Sequence, residues 1–306
     1  MKIRRILDYL ESNEIDCKYY GDLESEVIGY SSLKNYKTGS LTWIGRLNAV
    51  PARNDFDALQ LVVVEEGLNI NVKNGLYVKN SKEIFFSIIE DLFENKRELP
   101  ELGQGCYIGS DVVLGEGVKI GHNCVLDGDI TIGNGTVIYN NVNIVNHVVI
   151  GKNCVIQSGV SIGHDGFGYS EDEFGNKKMV VHHGGVAIGN DVYISANSVI
   201  QRGTIDDTII ESGTKIDTLC HIAHNVHIGK KNGIVTLSAL YGSCETGENC
   251  YIASGIIKDN TKIGNNVQIG VNAVVMNDVG NDMVLIGTPA KKLRDKIPYV
   301  PDKGTT

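Results

Sequence analysis

IGSDVVLGEGVKIGHNCVLDGDITIGNGTVIYNNVNIVNHVVIGKNCVIQSGVSIG, residues 108–163, decides the fold. Stepped in sixes, it places Ile108, Leu114, Ile120, Leu126, Ile132, Ile138, Ile144, Ile150, Ile156 and Ile162 in one unbroken frame. Glycine commonly follows the aliphatic residue, as at Gly109, Gly115, Gly121, Gly133, Gly151 and Gly163, and is expected there to relieve a turn with unusual backbone angles. A period of six fits neither a 3.6-residue helix nor a simple two-residue strand. It fits a short strand plus a turn, repeated three times to close a triangular coil with the aliphatic residue inward and a small residue two positions earlier filling the corner. Stacked coils of this kind share one continuous core, so their stability accumulates along the array.

The frame continues outward from this stretch. Ile188, Ile194 and Ile200 belong to it. After a slip it runs Ile210, Ile216, Ile222, Ile228, Ile234 and Leu240, passes the exception Thr246, and reaches Ile252. A last set, Ile257, Ile263, Ile269 and Val275, starts one residue early. The coil domain is therefore expected over residues 105–280, interrupted by HDGFGYSEDEFGNKKMVVHHGG at 164–185. An insertion in a solenoid maps to a loop on one face, often the binding face. His182 and His183 of that insertion are expected on the surface.

Residues 1–100 do not follow the repeat and read as a small α/β domain. Ile3, Ile6, Leu7 and Leu10 give an amphipathic first helix, and a second is expected over Ser81–Asn95 with Ser81 as its N-cap. Short strands are expected at Val27–Tyr30, Ser40–Ile44, Leu59–Val64 and Leu76–Val78. Leu99–Gln104 reads as a linker, and the tail 281–306 leaves the repeat through GTPAKKLRDK.

Composition narrows the function. The 306 residues carry a formal net charge of −9 and no basic run, which argues against nucleic-acid binding. No apolar window of membrane-spanning length and no secretory signal is seen, so a cytoplasmic location is expected. Seven cysteines, an odd count, suit a reducing compartment, and Cys124, Cys154 and Cys250 fill repeat slots as small hydrophobes. No cysteine or histidine cluster has zinc-ligand spacing. His221, His224 and His227 are three apart, but they flank inward residues on successive faces and are not expected to converge, so no metal is expected.

HDGFGY at 164–169, ANSVIQRGTIDDTII at 196–210 and GTKIDTLCHIAHNVHIG at 213–229 resemble bacterial UDP-3-O-acylglucosamine N-acyltransferases of lipid A biosynthesis, and GSLTWIG at 39–45 resembles that family's uridine-recognising segment. The resemblance spans about residues 1–275. It implies a left-handed β-helix, a homotrimer with sites between neighbouring subunits, an acyl carrier protein thioester as donor and a UDP-linked amino sugar as acceptor. The family's catalytic histidine falls on His224. Three departures stand out. The segment where the family usually carries a second histidine reads KDNTK at 258–262; the family's Asn for uracil becomes Arg46; and VVMNDVGNDMVLIGTPAKKL resembles the ending of acetyl-CoA-dependent hexapeptide acetyltransferases.

N-acylation by a thioester needs a base for the amine, donors for the tetrahedral oxyanion and alignment of both substrates. Histidine suits the first task because its ordinary titration lies near neutrality. His224, two residues after inward Ile222, sits at a coil corner and is the expected general base, with Asn225 and His221 expected to bind substrate beside it; Asp165, Asp206 and Asp207 are all open as the group that orients it. Asp165, Phe167 and Tyr169 are expected to hold the sugar, and Trp43 and Arg46 the nucleotide. Asn260, Lys291, Lys292 and Arg294 are expected at the acyl donor, which would be an acyl carrier protein thioester or an acyl-CoA acting as co-substrate, with no bound cofactor. An acetyl-CoA-dependent N-acetyltransferase of a nucleotide amino sugar is the alternative. A γ-type carbonic anhydrase fits less well, and so does a non-enzymatic β-helix, which would need a flat outward threonine array where the outward positions here are mixed and the array is interrupted.

Overall fold

The computed structural model describes residues 1–46, 56–94, 99–289 and 291–295. The chain divides into two units at Glu98 and Leu99.

The first unit is a five-stranded sheet with two helices. α1 is Ile3–Ser12, β1 Cys17–Tyr20, β2 Gly29–Tyr30, β3 Ser40–Ile44, β4 Leu61–Glu65, β5 Gly75–Val78 and α2 Ser81–Ile88. The sheet order is β1-β5-β4-β3-β2, parallel except for β1. Leu61, Val62, Val63 and Val64 of β4 are fully buried, as a parallel strand covered on both faces requires. Ile3, Ile6 and Leu10 bury the expected face of α1.

Three expectations here are corrected. β1 was not foreseen, because only alternate residues of Cys17–Tyr20 are half-buried and the run is short. The α-helical part of α2 ends at Ile88 and continues as one wide turn, Ile89–Phe93; Asn95 lies outside the described residues. Ser81 is not the N-cap: Asn80 holds that position, and the carboxylate of Glu65 accepts the N–H groups of Asn80 and Ser81 at 3.0 and 2.7 Å. A strand-end carboxylate thus satisfies the orphan donors of the first turn and meets the positive end of the helix dipole.

In the second unit the frame of six becomes three parallel sheets wound around one core. One face stacks eight strands from Val112–Leu114 to Lys262–Ile263, and another stacks nine from Tyr107–Ile108 to Val274–Val275. The third holds ten, and its ladder sets Ile120, Ile138, Ile156, Ile194, Ile216, Ile234, Ile252 and Ile269 directly above one another. All eight are buried. The result is a left-handed parallel β-helix, in which side-chain columns replace the layers of an ordinary fold.

Thr246 breaks the aliphatic column because a buried polar network needs it. Asn232, itself 1% exposed, donates its Nδ2 hydrogens to the carbonyls of Gly229 and Gly247 and to Thr246 Oγ1, while its Oδ1 accepts from Cys250 N–H. The shortened step from Ile252 to Ile257 is absorbed at the corner of Ala253, Ser254 and Gly255. Beyond it, Ile256 and Ile257 pair in register with Ala239 and Leu240.

The glycines after the inward residues serve a purpose other than the one expected. Of those six, only Gly163 has a positive φ. Gly115, Gly121, Gly133 and Gly151 press on the next coil: a β-carbon on Gly115 would lie 2.4 Å from Asn134 Oδ1, and one on Gly121 2.5 Å from Asn140 Oδ1. They are small so that coils can stack at strand spacing. The left-handed corners are instead taken by asparagines such as Asn123, Asn141, Asn153 and Asn225.

The array also runs further than residue 280. Met283–Ile286 adds a parallel strand to the ten-stranded face, and Lys291–Asp295 folds back on it antiparallel, so these parts of the tail are ordered sheet. Residues 296–306 lie outside the described residues. The insertion is a two-stranded hairpin, Tyr169–Glu171 against Lys177–Met179.

Candidate active site

His224 follows the strand His221–Ile222 at the corner that leads to His227–Ile228. Positions two after the inward residue form a column at this corner: Arg202, His224, Gly242 and Asp259 follow Ile200, Ile222, Leu240 and Ile257. The His224 ring packs directly against this glycine, since a β-carbon on Gly242 would lie 2.7 Å from His224 Cε1 and 2.8 Å from its Nε2. Ring and glycine both line a cleft of about 420 Å³, with Phe167, His221, Tyr241, Asp259 and Asn260 among others. Gly166 closes the other side of the ring, with a would-be β-carbon 2.8 Å from His224 Cδ2.

The ring is oriented by its neighbour. His224 Nδ1 lies 3.1 Å from Asn225 Oδ1. The amide of Asn225 cannot be turned over, because its Nδ2 donates to the Asp206 carbonyl at 2.9 Å while its Oδ1 accepts from Thr204 N–H at 3.0 Å and Thr204 Oγ1 at 2.9 Å. An oxygen facing Nδ1 requires that Nδ1 carry the proton. Nε2 is then the lone-pair nitrogen, and it lies beside Gly242, which lines the cleft with His224. Asn225 does this from a left-handed corner with φ 59°. Of the three aspartates left open, Asp206 acts, through its backbone carbonyl and one residue removed. Asp207 accepts from Gly185 N–H at 2.6 Å, and Asp165 serves the insertion.

Asp165 accepts from Arg202 Nε at 2.7 Å and from His182 N–H at 3.3 Å. Burial pushes its carboxyl up, but the His182 amide and the Arg202 guanidinium outweigh that and hold it below the usual range. Phe167 and Tyr169 stack edge to face at 5.6 Å, with Phe167 73% exposed at the cleft wall. Burial lowers the titration of His221, which lines the same cleft. Asn260 lines it too, in the corner slot equivalent to Asn225.

His182 is the main correction in this region. It is fully buried, not on the surface, and its ring stands 5.4 Å from His224 at 80°. His183 is exposed as expected. Gln201, Tyr241, Gly242, Ser243 and Asp259 line the cleft without having been foreseen. An offset of one coil from His224 would have found Gly242 and its neighbours; nothing in the sequence marks His182.

The remaining residues lie elsewhere. Trp43 and Arg46 line a cavity of about 1040 Å³ within the first unit, with Ser32, Glu65, Asn80 and Lys82. Trp43 is half-buried and tilts against Phe85, with centroids 6.2 Å apart, so the same ring both seals the core and faces the cavity. Lys291, Lys292 and Arg294 sit on the final strand, opposite Ile286, Leu285 and Val284, and Lys291 and Lys292 do not line the cleft. His221 and His227 belong to different faces, and among the described residues no group of three or more His, Cys, Asp or Glu could hold a metal ion. None of the seven cysteines forms a disulfide; burial pushes Cys220 up to about 11 and Cys244 up to about 12. No described helix is long and apolar enough to cross a membrane.

The fold and its repeats define a hexapeptide-repeat β-helix protein. The family described as bacterial transferase hexapeptide (six repeats) matches residues 129–164, and that described as hexapeptide repeat of succinyl-transferase matches residues 101–146. Within that class the sequence is similar to proteins named UDP-3-O-acylglucosamine N-acyltransferase. The one from Delftia acidovorans is 37% identical over 127 residues, 41% of this chain and 38% of the relative. That from Hahella chejuensis is 43% identical over 95 residues, 31% of this chain and 27% of the relative. The chain thus matches well under half the length of these relatives, a shorter reach than residues 1–275. Among solved structures, LpxA from Acinetobacter baumannii superposes with a TM-score of 0.59 at 23% identity, covering 64% of this chain and 74% of that one. A UDP-N-acetylglucosamine acyltransferase from Arabidopsis gives 0.52 at 24% identity, covering 64% and 73%. At these identities the superpositions speak for the fold alone.

Proposed function

We propose that this chain is an N-acyltransferase that moves an acyl group from a thioester to the amino group of a UDP-linked amino sugar. The observation that carries the reading is the tautomer of His224, whose free Nε2 lies beside Gly242 where both line the cleft. Nε2 takes a proton from the amine as the amine nitrogen bonds to the thioester carbonyl carbon. The tetrahedral oxyanion collapses, the C–S bond breaks, and the leaving thiolate takes the proton back from the imidazolium. No covalent enzyme intermediate is needed. General-base help of this kind is worth about 10²–10⁴ in rate. Tyr241, Ser243 and Asn260 offer donors at the cleft wall.

The similarity to UDP-3-O-acylglucosamine N-acyltransferases supports the substrate class. On this reading an acyl carrier protein or CoA thioester is the donor, the working form is a homotrimer, and the product enters lipid A biosynthesis in the cytoplasm. The cavity of the first unit, with Trp43 and Arg46, takes the uridine diphosphate. Lys291, Lys292 and Arg294 serve donor phosphates.

The test is product mass after mixing the protein with a panel of UDP-amino sugars and two donors, acetyl-CoA and a 3-hydroxyacyl carrier protein. A hydroxyacyl amide is the expected result. An acetyl amide from CoA alone would move the enzyme to a sugar N-acetyltransferase, and no amide with either donor would overturn the reading. Sedimentation of the same sample tests the trimer.

A further inference from the structure

His182 has no place in the mechanism above, yet it is fully buried and stands edge-on to the ring that does the chemistry. Its Nδ1 lies 3.0 Å from the Val180 carbonyl. A carbonyl only accepts, so Nδ1 carries the proton and Nε2 holds a lone pair. Among the described residues no donor reaches that Nε2, although it is buried. Buried polar atoms are nearly always hydrogen-bonded, so an unpaired one calls for an explanation.

The position of the nitrogen supplies one. Nε2 of His182 and Cδ2 of His224 bound the same spot: a β-carbon on Gly166 would lie 3.0 Å from the first and 2.8 Å from the second. His182 Nε2 therefore borders the same small space as the Cδ2 edge of His224, with the two rings 5.4 Å apart. Asp165 and Arg202 fix this geometry from outside, since Asp165 accepts the His182 N–H and is itself held by Arg202. Gly168 lies on the same ring, with a would-be β-carbon 3.6 Å from His182 Cε1. The insertion hairpin therefore delivers one oriented acceptor, shielded from water, to the edge of the candidate base.

We propose that His182 is a positioning residue for His224. Its Nε2 lone pair holds the ring over Gly242 and favours the imidazolium that forms when His224 takes the amine's proton. A lone pair interacts little with the C–H edge of a neutral imidazole and more with that of a cation. In a dry site such a fixed acceptor acts at the moment charge develops. The inference rests on the acyltransferase reading.

Two variants and one spectrum test it. His182→Phe keeps a flat ring and removes both nitrogens; His182→Gln returns an acceptor near the position of Nε2. At saturating amino sugar, His182→Phe is expected to lose about tenfold or more in kcat with KM changed less than about twofold, the pattern of an interaction made only in the transition state. His182→Gln is expected to recover most of that loss. Melting curves check that both variants are folded. Equal losses in both would mean that the ring only fills space, and a His182→Phe enzyme with unchanged kcat would overturn the inference directly. Long-range ¹⁵N–¹H spectra of the wild type read the tautomer without any turnover, and a proton on Nε2 of His182 would sink the proposal. If the wild type acylates nothing, the functional reading fails by itself, while the spectrum still decides the geometry.

Discussion

The Nδ1 of His224 lies 3.1 Å from the Oδ1 of Asn225, the next residue in the chain, and that contact decides which ring nitrogen is free. Adjacent residues rarely orient one another, because consecutive side chains point apart. Here the left-handed φ of 59° at Asn225 turns its side chain back beside the histidine. Replacing Asn225 by Gly keeps the corner conformation at no backbone cost and removes the amide. The expected outcome is a fall in kcat of about 10- to 100-fold, within the span of general-base effects, with KM for the amino sugar little changed. Steady-state kinetics at saturating donor measure it. A variant with wild-type kcat would show that another group fixes the ring.

Gly242→Ala probes the cleft itself. The new methyl would lie 2.7 and 2.8 Å from Cε1 and Nε2 of His224, closer than real contacts allow, so the ring must move or the nitrogen is covered. A displacement of about 1 Å at a reacting group can cost about 10²-fold in rate. The expected result is a loss of that order in kcat/KM with normal folding.

How far the sequence led depended on periodicity. A column of isoleucines six apart has one physical solution, so the coil, its interruption and the corner position of His224 followed from spacing alone. What depends on contacts between coils did not follow. The glycines after the inward residues looked like turn relief and are close-approach sites, because the neighbour that excludes a β-carbon, such as Asn134 above Gly115, lies a coil away. Thr246 is an exception in the column whose reason, the Asn232 amide that donates to it, lies on another coil face. His182 lies in a polar insertion with no period, so nothing in its local sequence could reveal burial. The first unit shows the same limit: Glu65 caps α2 from 15 residues away in the chain, and Ser81 only looked like the cap.

Trp43→Ala separates nucleotide binding from chemistry. The indole lines the cavity of the first unit on one side and packs toward Phe85 on the other. Loss of base stacking costs about 1–3 kcal/mol, which is about 5- to 150-fold in affinity. The expected outcome is a rise of that size in KM for the UDP-sugar with kcat at saturation preserved. Because the same ring fills core space, Trp43→Phe should restore the fold and most of the affinity. If Trp43→Ala left KM unchanged, the cavity would not be the nucleotide site.

The last prediction concerns the insertion and acid. The carboxyl of Asp165 is pushed up by burial but held below its ordinary value of 3.8 by the stronger combined pull of the His182 amide and the Arg202 guanidinium. A group whose folded titration is depressed adds stability above its unfolded value and gives it up as pH falls through the folded one. Asp165→Asn should therefore melt below the wild type by a constant margin from about pH 5 upward, and the margin should shrink below about pH 4. The carboxylate is 42% exposed, so solvent screens the pair and the margin should be a few degrees at most. Turnover carries the sharper signal, because Asp165 holds the His182 backbone: kcat should fall in the variant even where its Tm nearly matches the wild type. A variant that melts earlier with full kcat would mean that Asp165 only anchors the hairpin and that the hairpin does not place His182 against His224.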